Sequence, residues 1–71
     1  MGLFDARQKA EELLRQAAAD RDTGIAAMGE PVADHGGVTV NAVMKNGATA
    51  EAWAADSADG WSVSVEKPKG R

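Results

Sequence analysis

The chain has no cysteine and no tyrosine, and only one phenylalanine, one histidine and two prolines in 71 residues. Each scarcity excludes something. Without cysteine there is no disulfide framework, no thiolate nucleophile and no cysteine-based zinc site. The lone histidine, in Asp34-His35-Gly36-Gly37, has no companion at metal-ligand spacing and reads as an exposed loop residue. No apolar run approaches the ~20 residues of a membrane-spanning helix. Large hydrophobic side chains are also few. Of the 31 residues counted as hydrophobic, 15 are alanine, and Met1 apart only 15 larger ones remain.

A domain this short buries only about 60% of the surface its unfolded chain exposes. Small domains usually add a disulfide, a metal or a partner subunit. Here only the last fits the composition, so docking or self-association is expected. The net charge of −3 argues against a dedicated nucleic-acid binder. Lys67, Lys69 and Arg71 concentrate positive charge at the end of an otherwise acidic chain. Nucleic acid is therefore expected as a partner only through this basic tail. The opening Met-Gly-Leu-Phe-Asp-Ala lacks the basic and apolar regions of a secretory signal. The expected location is a virion or the cytoplasm of the producing cell, with no membrane partner.

Residues 5 to 19 are rich in strong helix formers. Asp5 is placed as an N-cap, with Gln8 three residues on. Leu3, Ala6, Ala10, Leu13, Leu14 and Ala17 form one apolar stripe. Asp5 with Lys9, and Glu11 with Arg15, are spaced for ion pairs along the helix. The helix is expected to reach about Asp20. A second helical stretch, or a continuation, then runs to Met28, since the periodicity persists through Ala18, Arg21 and Ile25. Residues 29 to 37 read as a loop, with Gly36-Gly37 as flexible backbone.

From Val38 the period changes to two, which predicts a strand through Lys45. Asn46-Gly47 then predicts a two-residue type I′ turn. That turn sets Lys45 opposite Ala48, Ala42 opposite Glu51 and Val40 opposite Trp53. Residues 48 to 55 are alanine-rich enough for a helix to compete, but the turn favours a strand. Asp56 to Gly60 reads as a turn with Gly60 at positive φ, and Trp61 to Glu66 alternates again as a strand.

The sequence thus predicts one α+β domain: an N-terminal helix followed by a small three-stranded antiparallel meander. Residues 1–28 form the helical arm, 29–37 the loop, 38–66 the meander and 67–71 the basic tail. Val38, Val40, Trp53, Trp61, Val63 and Val65 are assigned to the core face, against Leu13 and Leu14. Ala50, Ala52, Ala54 and Val43 then form a flat outer face suited to docking. With Leu3, Phe4, Lys67, Lys69 and Arg71, the three alanines are the candidate interaction residues.

No catalytic constellation emerges. Asp56, Asp59 and Gly60 lack the alternating acids and distal glutamate of a calcium loop. Ser57, Ser62 and Ser64 lack a nucleophile-elbow pattern. Trp53 and Trp61 could stack bases, but Lys45 is the only base in the sheet, so core packing is expected for both. No cofactor or metal is expected, and the chain reads as non-enzymatic.

One segment carries a family likeness. Met28 to Met44, with Gly29, Val32, Gly36, Gly37, Val38, Thr39, Val40, Ala42 and Val43 at the matching positions, resembles the opening of small head–tail joining proteins of tailed bacteriophages. The resemblance implies a small β-rich subunit, present in several copies, that docks on a capsid, portal or adaptor. The expected function is an assembly subunit, a minor capsid, decoration or connector protein, with the larger assembly, itself, or both as partners. The alternative is a small soluble regulator or inhibitor that binds a target protein.

Overall fold

The computed structural model describes residues 3–34, 36–57 and 59–67, with side chains from Asp5 onward. Among the described residues one helix, α1 (Leu3–Asp20), is followed by five strands: β1 (Ile25–Met28), β2 (Val32–Asp34), β3 (Gly37–Met44), β4 (Thr49–Ala55) and β5 (Trp61–Glu66). All pair antiparallel in one sheet of order β1-β3-β4-β5, with β2 also on β3. The fold is α+β, with five strands where the sequence suggested three.

The helix begins at Leu3, so Asp5 lies in its first turn and is not the cap. A negative charge there faces the positive end of the helix macrodipole. Glu11 sits between Arg7 at 3.0 Å and Arg15 at 3.8 Å. The helix does not continue toward Met28. Asp22 takes a left-handed φ of 57°. The Thr23 amide then donates to the Ala18 carbonyl and the Asp22 amide to the Ala19 carbonyl, each at 3.0 Å. These are the two bonds of a Schellman motif, here closed by aspartate in place of glycine. Arg21 Nη1 also donates to the Ala17 carbonyl at 3.0 Å. Stopping at Asp20 gives a helix about 27 Å long, the span of the eight-residue β3. Helix and sheet are matched in length.

The released chain turns back along β3. Ile25, Ala27 and Met28 pair with Met44, Val43 and Ala42. Val32, Ala33 and Asp34 pair with Thr39, Val38 and Gly37. Much of the segment expected to be helix and loop is therefore an edge of the sheet. It is irregular: the register shifts between Ile25 and Ala27, and shifts again across Gly29-Glu30-Pro31. The Gly29 amide still donates to the Asn41 carbonyl at 2.6 Å.

The largest correction lies in the β3–β4 hairpin. Gly47 N–H donates to the Met44 carbonyl at 2.9 Å, and Met44 N–H to the Ala48 carbonyl at 2.8 Å. Gly47 alone in the loop has positive φ, 94°. This is a three-residue loop, a type I turn ending in a left-handed glycine. Asn46 Oδ1 accepts from the Ala48 amide at 2.9 Å. The extra loop residue moves the register by one: Val40 opposes Ala52 and Thr39 opposes Trp53. A one-residue slip exchanges the two faces of a strand. Ala50, Ala52 and Ala54 therefore turn inward and are buried, and Trp53 turns outward.

The core lies between α1 and the inner face of β3 and β4. Ala6, Ala10, Leu14, Ala17 and Ala18 of the helix meet Val38, Val40, Ala42 and Met44 of β3, and Ala48, Ala50, Ala52 and Ala54 on the β4 side. Among the described residues, Leu14, Met44 and Val40 are the largest side chains buried completely. Leu13, Ile25, Met28, Val63 and Val65 pack on the margin.

Two stability changes follow. Ala52→Leu forces four-carbon bulk between helix and strand and is expected to cost about 1–3 kcal/mol in urea unfolding. Asp22→Gly relieves left-handed strain and removes a negative charge beside the helix C-terminus. It is expected to raise stability by about 0.5–1 kcal/mol.

Candidate functional site

The hydrogen-bond phase of the ladder decides which backbone groups are free. Ala55 N–H donates to the Gly60 carbonyl at 2.8 Å. In an antiparallel pair both backbone groups of a residue point to the same side, and the side alternates along the strand. With Trp53 opposite Ser62 and Glu51 opposite Ser64, β5 turns Ser62, Ser64 and Glu66 toward β4. Trp61, Val63 and Val65 consequently aim their N–H and C=O groups outward, away from the sheet. Among the described residues no strand pairs with that side.

The same three residues supply apolar side chains. Trp61, Val63 and Val65 oppose Ala54, Ala52 and Ala50, so they share the helix-covered face. The helix covers β5 only in part. Trp61 is 54% exposed, and Val63 and Val65 are half-buried. A groove of about 320 Å³ separates them from Leu13 and Ala17 of α1 and from Arg21 just past its end. Lys9 Nζ lies 5.9 Å from the Trp61 ring centre, within reach of a cation–π contact. The edge thus offers unused backbone hydrogen bonds beside an apolar groove.

Trp53 occupies the other face of the sheet, not the core. Its Nε1–H donates to the Asp34 carbonyl at 3.3 Å. The indole lies against Gly37, where a Cβ would fall against the Ala54 carbonyl and within 2.8 Å of the ring. Gly37 is required for this close approach, which the reading of flexible backbone missed. At Gly60 the φ is not positive; a Cβ there would stand 3.6 Å from the same indole. The open face carries Val32 and Val43 among threonine, serine and glutamate.

The candidate interaction residues divide. Ala50, Ala52 and Ala54 lie beneath α1 and offer no outer surface. Lys67 is exposed directly after β5. Leu3 and Phe4 belong to the helix, but their side chains, like Lys69, Arg71 and His35, fall outside the described residues. No residue of the β5 edge stood among the candidate interaction residues, although the alternation of Trp61 to Glu66 marked the strand.

A second apolar hollow, about 280 Å³, lies at the β1 edge among Ala27, Met28, Gly29, Asn41, Val43 and Thr49, where register shifts break the row of backbone groups. A larger one, about 590 Å³ along the outer side of α1, is a solvated gap among Asp5, Gln8, Lys9, Glu11, Glu12 and Arg15. Asp56 Oδ1 is buried without a hydrogen-bond partner, yet among the described residues no cluster of acids or histidine converges to hold a metal. No described helix is long and apolar enough to cross a membrane. Comparison with protein-family models, with curated proteins and with solved structures returns no match.

The surroundings of the two tryptophans should differ in what they contribute to stability. Gly37→Ala displaces the Trp53 indole and is expected to cost about 2–3 kcal/mol. Trp61→Ser removes a half-exposed ring and is expected to cost about 1 kcal/mol or less. Urea titrations of both variants check the contrast.

Proposed function

We propose that this chain is a non-enzymatic assembly subunit that joins further copies of itself by strand addition at β5. The observation that carries this is the coincidence, on Trp61, Val63 and Val65, of outward backbone groups and half-covered apolar side chains. An added strand would satisfy the backbone groups and cover the groove, the two sources of affinity in this mode of recognition. The thin core supports a role within a larger body. The resemblance of Met28–Met44 to phage head–tail joining proteins suggests the setting: a minor capsid, decoration or connector protein of a phage-like particle.

The measurement is native mass by light scattering over a concentration series, for the wild-type chain and for Val63→Lys. The wild-type mass is expected to rise above the 7.4 kDa of one chain. Val63→Lys places a charge in the groove and should hold the chain monomeric, as charges on edge strands do. A wild-type chain still monomeric at about 1 mM, where an interaction of only about 4 kcal/mol would show, sinks the reading. It would favour instead a soluble regulator that lends its edge to one target.

A further inference from the structure

We propose that the strand added to β5 is β5 of a second copy, paired antiparallel about Val63. This rests on the assembly reading above and specifies which edge is met and in what register. Outward backbone groups alternate, so two β5 edges can bond only with Trp61, Val63 and Val65 facing one another. Centring the pair on Val63 uses all three: Val63 meets Val63 of the second copy, and Trp61 meets Val65 twice. Ser62 then opposes Ser64, and Glu66 opposes Gly60, so no like charges meet. One residue further out, Asp59 of each chain opposes Lys67 of the other. Both are exposed, and neither has an ion-pair partner among the described residues. Sliding the pair by two residues either way breaks both Asp59–Lys67 pairings and one of the apolar contacts.

The opposite edge of the sheet cannot substitute. Its register shifts and Pro31 interrupt the regular row of backbone groups that a second strand needs. A β5-to-β5 contact is isologous and closes at two copies, whereas a contact between unlike edges would propagate. A two-fold axis normal to the sheet leaves both helices on one side. The two α1–β5 grooves then merge into one trough, and the half-exposed Trp61 is covered by Val65 of the other copy.

The chain lacks cysteine, so single substitutions report on the geometry. In the proposed register the two residues at position 63 stand about 5.5 Å apart between Cα atoms, within disulfide range. Val63→Cys is expected to oxidise to a covalent dimer at micromolar concentration, and Val32→Cys, on the opposite edge, is not. Asp59→Lys should weaken the dimer about fivefold at low salt, since two exposed pairs become repulsive. The double variant Asp59→Lys/Lys67→Asp should restore it, and the difference should vanish in about 1 M salt. Both charge variants lie on the surface, and circular dichroism is the check that they fold. Association that rises with concentration but cross-links through Val32→Cys, or ignores the charge exchange, overturns this register and leaves the assembly reading standing. A chain monomeric throughout overturns both.

Discussion

The structure depends on how closely α1 lies over β4. The contact is made almost entirely of methyl groups, Ala6, Ala10, Ala17 and Ala18 above and Ala48, Ala50, Ala52 and Ala54 below. Small residues let the helix come near the strand, but each methyl buries little, about 0.8 kcal/mol of transfer free energy. Leu14, Met44 and Val40 fill the space at the centre. The other large side chains stand on the margins, where cover is partial. Ile25 and Met28 take one margin, Val63, Val65 and Trp61 the other. A tight, thin core and an apolar rim are thus two results of one packing choice.

That choice is fixed by a single loop residue. In the observed register β4 presents Ala50, Ala52 and Ala54 inward; one residue earlier it would present Glu51 and Trp53. The sequence held a clue to this. Trp53 shares its strand parity with Glu51 and Thr49, so burying the tryptophan would also bury a carboxylate, at a high desolvation cost. Parity along β4 was therefore a better guide to the register than the Asn-Gly dipeptide. Asn-Gly serves two-residue and three-residue loops equally well, because in the longer loop only the glycine needs positive φ.

The elements with strong local patterns were legible: the helix to Asp20, β3 from its alternation, the hairpin from Asn46-Gly47, and β5 with its parity. The missed ones depend on tertiary context. Asp22 ends the helix in a conformation that glycine normally supplies, so residue type gave no stop signal there. β1 and β2 are three to four residues long and broken by bulges, so no alternation long enough to read survives. Of the site, the side chains of Trp61, Val63 and Val65 were assigned to the right face. Their partial exposure was not legible, because it follows from how far the helix extends across the sheet.

The two edges of the sheet are treated unequally, and this bears most directly on function. Along β1 and β2 the chain departs from regular pairing twice and carries Pro31, features that deter a further strand. Along β5 six residues run without a register shift, and every outward backbone group belongs to an apolar residue. If strand addition were only a hazard, both edges would be expected to carry a block. Only one is blocked: both edges carry apolar side chains, Ile25, Met28 and Val32 on one and Trp61, Val63 and Val65 on the other, but the β5 edge alone keeps a regular row of backbone groups. An unprotected edge beside an uncovered groove is costly in isolation, since both favour non-specific aggregation. Its retention in so small a domain is accounted for when another strand normally occupies it.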